Sequence, residues 1–258
     1  MKEKIRKAIF SGGWYNSNPN ELSSEIKDYL EKAKKINKTV RAVIVPHAGY
    51  MFSGQVAAHS FKQIPPDTER VFVLGTSHRY YLQGVCAGDY EFLETPLGII
   101  KVSGEVKNIL KEKHFSFIPE ADKNEHSIEI ELPFLKYILD DFEIIPLLVG
   151  AINHIELAEI LGKYINEKTV IVVSVDLSHF HPYREAKRLD DFTIKAITSL
   201  DTDKISDAEI DSPYAVLGVM ELAKQNKWSV ELLDYKNSGD ITGDLSRVVG
   251  YASIAFYN

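Results

Sequence analysis

The sequence holds one cysteine, Cys86, in 258 residues. No intrachain disulfide can form, and a zinc ribbon or iron–sulfur cluster that takes several thiolates from one chain is excluded. Any metal must be held mainly by histidine and carboxylate. Long hydrophobic runs are also missing, and none approaches the ~18 apolar residues a membrane span requires. Basic residues are the minority, with 30 Lys and Arg against 37 Asp and Glu and a net charge of −7. They occur as scattered pairs such as Lys34-Lys35, so neither a membrane nor a nucleic acid is an expected partner. The opening MKEKIRKAIFSGGWY lacks an apolar core followed by a small-residue cleavage site, so it does not read as a secretion signal and a cytoplasmic location is expected. Phosphate-loop, dinucleotide-binding, nucleophile-elbow and H-E-x-x-H patterns are absent too, which removes support for the commonest ATP, NAD, α/β-hydrolase and zincin chemistries.

What is present is an alternation of strand and helix. Residues 41–45 (RAVIV), 70–74 (RVFVL), 143–149 (EIIPLLV) and 169–175 (TVIVVSV) are short β-branched runs, apolar throughout, which predicts strands covered on both faces. Between them, 21–36 carries Leu22, Ile26, Tyr29, Leu30 and Ala33 on one stripe, and 127–139 and 155–166 show similar spacing. A further helix is expected over 213–227, with Ser212 as N-cap and Pro213 at its first position, followed by strands over 229–235 and 247–256. With no linker, repeat or composition break, the expectation is a single α/β domain over 1–258, an α/β/α sandwich around a mixed, mostly parallel sheet.

Three of the strands end alike. After 41–45 comes Pro46-His47-Ala48-Gly49, after 70–74 comes Gly75-Thr76-Ser77-His78, and after 169–175 comes Asp176-Leu177-Ser178-His179. Ligands of open α/β sheets bind beyond the carboxyl ends of the strands, so these histidines are expected to converge. A fourth segment, NEHSIEIELPFL, puts Glu125 and His126 in the first turn of a helix. Each residue also has a plain structural reading. A histidine after a strand is often only a loop residue, Thr76, Ser77 and Ser178 suit turns, and Glu125 suits a helix N-terminus. His59, His114 and His154 read as surface or helix-face residues, and His181 fits either description.

The motifs PHAGY-x-x-SG (46–54), G-x-SH (75–78), NEHSIE-x-x-LPFL (124–135), S-x-DLSH (174–179) and LDYKNSGD-x-x-GD…VVGYA (233–252), with SGGWY (11–15), resemble the MEMO family, also called AmmeMemoRadiSam system protein B. The resemblance runs over nearly the whole chain. It implies a fold like that of the LigB-type class III extradiol dioxygenases, in which two histidines and one carboxylate hold a ferrous ion. By these motifs the histidine ligands are His47 and His78. Animal members carry a cysteine where this chain has Asp211, in DSPYAVLGVM, so Asp211 is expected to restore the carboxylate; a plain role at a helix start is the alternative. Such a set favours a hard divalent ion over Cu(I); the resemblance implies Fe(II), with Zn(II) or copper as alternatives, since ligand identity does not select between iron and zinc.

The resemblance further implies acid–base roles for His126 and His179, with Asp176 and Glu125 fixing histidine tautomers. Trp14, Tyr50, Ser77 and His181 are expected at the pocket or just behind it, with Tyr15, Phe52, Tyr80 and Phe180 as further aromatic candidates. Three functions stand open: an Fe(II)-dependent, dioxygenase-like oxidoreductase; a non-catalytic metal-, peptide- or protein-binding adaptor; and a zinc hydrolase. The substrate, small molecule or peptide, is not legible. The system name implies a radical-SAM protein and a companion protein as partners.

Overall fold

The apolar runs become the strands that the sequence predicts. A computed structural model describes residues 4–258; residues 1–3, the start of the basic opening stretch, lie outside the described residues. In chain order come β1 (Ile5–Arg6), α1 (Pro19–Lys32), β2 (Val40–Val45), α2 (Tyr50–Phe61), β3 (Arg70–Gly75), β4 (Val85–Cys86), β5 (Phe92–Thr95), β6 (Gly98–Val102), α3 (Val106–Ile109), β7 (Phe115–Ser116) and α4 (Pro119–Asp122). Then follow a 3₁₀ turn (Glu129–Glu131), α5 (Leu132–Ile138), β8 (Glu143–Val149), α6 (His154–Tyr164), β9 (Thr169–Ser174), β10 (His179–His181) and α7 (Tyr183–Thr198). A second 3₁₀ turn (Thr202–Asp207), α8 (Pro213–Asn226), β11 (Ser229–Asn237), α9 (Ser238–Thr242) and β12 (Val248–Tyr257) complete the chain.

The strands join in one mixed sheet whose spine has the order β1-β5-β6-β8-β3-β9-β2-β12-β10. Its centre, β8-β3-β9-β2, is parallel, with Val45 opposite Ser174 and Leu74 opposite both Val173 and Leu147. Because these strands run one way, the turns after β2, β3 and β9 leave from one edge of the sheet. Ala42–Val45, Val71–Leu74 and Val170–Val173 are all buried, as expected of strands covered on both faces. β12 closes this side antiparallel to β2 and β11. No described helix is long and apolar enough to cross a membrane.

Local signals set the helix ends, and three expectations are corrected. α1 starts at Pro19, two residues early, because the Asn18 side chain accepts from the N–H groups of Asn20 and Glu21. It stops at Lys32 rather than 36, where Gln63 claims the backbone by donating to Lys34 O and accepting from Ile36 N–H. Ser212 stands at the N-cap position of α8, yet its hydroxyl is buried without a partner and caps nothing. Glu125 and His126 are not in a helical turn but in a loop after Asn124, whose φ of 58° is left-handed. The helix they were expected to begin starts only with the 3₁₀ turn at Glu129.

Candidate metal centre

Five segments deliver side chains to the carboxyl edge of the central strands. His47, two residues beyond β2, is 1% exposed, and its backbone N–H donates to Asp176 Oδ1 over 2.9 Å. Its Nδ1 lies 2.9 Å from Ser174 Oγ, the last residue of β9, and its Nε2 lies 2.8 Å from Asp211 Oδ2. His78, beyond β3, is gripped by Glu125, which accepts from its backbone N–H over 2.8 Å and stands 3.0 Å from its Nδ1. The Nε2 of His78 thereby faces Asp211 Oδ2 at 3.5 Å. Gly75 makes this loop path possible, since a Cβ there would stand 2.5 Å from Ser127 Oγ.

His126 is the third imidazole. Its ring stacks on His78 with centroids 4.3 Å apart and lies 5.2 Å from His47, while Trp14 covers it at 4.4 Å. Ligand atoms of His47, His78 and His126 all fall within 4.8 Å of one another, as do those of His47, Asp176 and Asp211. Asp176 and Asp211 are tied by two hydrogen bonds, Asp211 N–H to the Asp176 carbonyl over 3.3 Å and Asp176 N–H to the side-chain Oδ1 of Asp211 over 3.2 Å.

The electrostatics divide the three histidines. Burial alone would lower the pKa of His47, but Asp211 and Asp176 outweigh it and hold the imidazole at about 10. For His78 the same burial is outweighed by Asp211 and Glu125, which hold it at about 9. His126 goes the other way, to about 3, through burial and the neighbouring His47 and His78 charges. Burial pushes the Glu125 carboxyl up, yet His78 and three backbone N–H groups win and bring it to about 2. Asp211 is likewise held below the usual carboxylate range: burial raises it, and His47 and His78 more than reverse that. Burial also moves Asp176 upward.

One oxygen in this cluster is met by two imidazoles and by no directed hydrogen bond. Asp211 Oδ2 is buried and has no hydrogen-bond partner, although His47 Nε2 is only 2.8 Å away. A buried carboxylate oxygen without a directed hydrogen bond is costly, and a divalent cation would satisfy it. Two imidazole nitrogens and one carboxylate oxygen are the donor set such an ion accepts.

Other expected residues are placed differently. His179 is outside the three-imidazole cluster; its backbone N–H donates to Glu209, and its ring is close enough to Asp176 to act on that carboxyl. His181 turns to Glu209, with Nε2 2.8 Å from each carboxylate oxygen, and to Glu185. Tyr50 borders a cleft near the centre but is only 3% exposed: its ring packs on Tyr15 and Phe134, and its hydroxyl donates to Ile130 O, which makes it a core residue. Ser77 donates to Ala121 O and so tethers a loop. Trp14 and Phe52 do line that cleft, of about 660 Å³, together with Gly49 and Met51. Phe180 is exposed beneath Arg247, with a left-handed φ of 64° where β10 slips register against β12.

Sequence reading missed Ser174, Glu131, Glu209 and the Arg6–Glu129 pair. Ser174 opens the S-x-DLSH motif, and Glu131 is an acid inside the apolar IEIELPFL; both were signals of a buried polar role. Arg6 donates to Asp122, to Glu129 and to the Glu125 carbonyl, and Glu129 also accepts from Tyr15 OH and Phe10 N–H. That network fastens the segment bearing Trp14 to the loop bearing Glu125 and His126.

The sequence profile of the Memo-like protein family matches residues 6–255. A protein of Desulfurococcus amylolyticus, described as a MEMO1 family protein, is 34% identical over 98% of this chain and 99% of its own length. Proteins of the same description from Archaeoglobus fulgidus and Aquifex aeolicus are 33% and 32% identical, again over 98% of this chain and 99% of their own.

Proposed function

The chain belongs to the Memo-like protein family, and from that premise we propose that it is a divalent-metal protein holding Fe(II) through His47, His78 and Asp211 for dioxygenase-like oxidation. The observation that carries this reading is the buried Asp211 Oδ2, which two imidazole Nε2 atoms face at 2.8 and 3.5 Å and which makes no directed hydrogen bond. When bound, a ferrous ion in such a three-ligand set supplies a Lewis-acidic, redox-active centre with positions left for substrate and oxygen. The chain's own residues supply orientation and proton transfer. Glu125 fixes the His78 ring through Nδ1, which directs Nε2 toward Asp211.

His126 is the proton acceptor in this reading. Its imidazole stacks on His78 at 4.3 Å and lies 5.2 Å from His47, which places it beside the ligand set to take the proton of a substrate hydroxyl. Trp14, 37% exposed, covers the His126 ring and limits the approach of water. Asp176 anchors the His47 backbone, and His179 beside it is the second proton carrier. Anaerobic Fe(II) titration followed by oxygen-uptake measurements across catechols and other diols tests the reading. Stoichiometric iron with uptake on at least one diol is expected, and failure to bind iron overturns it.

The three-imidazole grouping favours a second reading, a Zn(II) site of His47, His78 and His126 acting on bound water. In that case His126→Ala abolishes metal binding, Asp211→Ala only weakens it, and turnover is indifferent to oxygen.

A further inference from the structure

Ser174 Oγ has one hydrogen to give and three neighbours within bonding distance. They are Ser127 O at 2.6 Å, Glu131 Oε1 at 2.7 Å and His47 Nδ1 at 2.9 Å. A carbonyl oxygen can only accept, so the hydroxyl hydrogen belongs to Ser127. The other two neighbours must then donate to Ser174, which requires hydrogen on His47 Nδ1 and on Glu131. The surroundings of Glu131 agree. The side chain is fully buried, and its second oxygen, Oε2, is buried without a hydrogen-bond partner. An ionised carboxylate there would leave charge on an unsatisfied oxygen, whereas a neutral acid needs only the one bond it can make to Ser174. Burial also pushes the Glu131 carboxyl well above its ordinary range.

We propose that Ser174 and Glu131 are positioning residues of the metal centre: a neutral Glu131 carboxyl donates to Ser174, and Ser174 accepts the Nδ1–H of His47, so that Nε2 is the nitrogen presented to the ion. This rests on the metal reading above. The relay does for His47 what Glu125 does for His78, with a difference of charge. Glu125 is a carboxylate, whereas Glu131 fixes the ring without adding a further anion to the cluster that already holds Asp211 and Asp176. A divalent ion held by neutral imidazoles and one carboxylate keeps a net positive charge, and with it the power to polarise a ligand.

Three measurements test the relay. Ser174→Ala should weaken Zn(II) or anaerobic Fe(II) binding by about 10–100-fold, the usual effect of removing such a partner, and Ser174→Thr, which restores the hydroxyl, should recover most of it. The infrared difference between wild type and Glu131→Gln at pH 7 should contain the carbonyl stretch of a protonated carboxylic acid. Nitrogen-15 NMR of the Zn(II)-loaded protein should show hydrogen on Nδ1 of His47. Wild-type affinity in Ser174→Ala, or a carboxylate signature for Glu131, overturns the proposal. If the wild type binds no metal, the metal reading fails by itself, and the infrared band still reports whether Glu131 holds a proton. The Gln variant, close in size and able to donate to Ser174, keeps the test open if Ser174→Ala folds poorly.

Discussion

Asp211 Oδ2 lies 2.8 Å from His47 Nε2, although 164 residues separate the two in the chain and one follows a strand while the other precedes a helix. His78 Nε2 faces the same oxygen at 3.5 Å. The chemistry expected of the protein follows from this convergence.

Metal binding should be coupled to proton release. With His47 at about 10 and His78 at about 9, both imidazoles carry a proton at pH 7 when no metal is present, and each must lose it to coordinate. Calorimetry in buffers of different ionisation enthalpy should show about two protons released per ion at pH 7. Apparent affinity should rise with pH and level off near pH 10. Stability of the metal-free protein follows the opposite sign. Both folded values lie above the unfolded value, so this contribution is complete below about pH 6.5 and is lost as pH rises through 9 and 10.

His126 should make the protein acid-sensitive. Its folded value of about 3 lies below the unfolded one, so between about pH 6.5 and 3 the unfolded chain binds the extra proton and stability falls as pH falls. Thermal unfolding of His126→Gln should be flatter than that of wild type across this window. Parallel curves would show that His126 is not the group responsible.

Glu125 binds its loop together as well as orienting His78. Its carboxylate accepts from the N–H groups of His78, His126 and Ser127 and faces His78 Nδ1. Glu125→Ala strands these donors and should cost about 3–5 kcal/mol in urea unfolding. Glu125→Gln, which keeps the shape and one acceptor oxygen, should cost less than half as much. Both should weaken metal binding through His78.

Arg6 serves three acceptors in a buried network, with Asp122 and Glu129 as its ion-pair partners. Arg6→Ala leaves the Glu129 carboxylate buried without its cation and should cost roughly 3–5 kcal/mol. A lysine cannot span the same acceptors with a planar fork, so Arg6→Lys should recover only part of the loss. Fluorescence of Trp14 should report the loosened covering of His126 in both variants.

The sheet and much of the centre were legible because their signals are local. Continuous β-branched runs mark buried parallel strands, and the Pro-His, Ser-His and Asp-Leu-Ser-His endings mark where each chain segment leaves the sheet. Asp211 was legible only through its family position, since nothing in DSPYAVLGVM says that it will meet His47. The partnership of Ser174 with Glu131 was illegible for a related reason. Ser174 reads as a strand residue and Glu131 as a helix acid, and their partnership exists only because β9 ends beside the turn after His126. The expected helical turn at Glu125 failed because its carboxylate accepts from the next two backbone N–H groups and holds a loop instead.

Anaerobic Fe(II) titration of wild type beside His47→Ala, His78→Ala, Asp211→Ala and His126→Ala tests the centre most directly. The expected result is one ion per chain, lost in the first three variants by at least about 100-fold, as removal of a ligand beyond the outer-shell range implies, and retained in His126→Ala. Binding that survives Asp211→Ala but not His126→Ala would contradict it and assign the ion to three imidazoles.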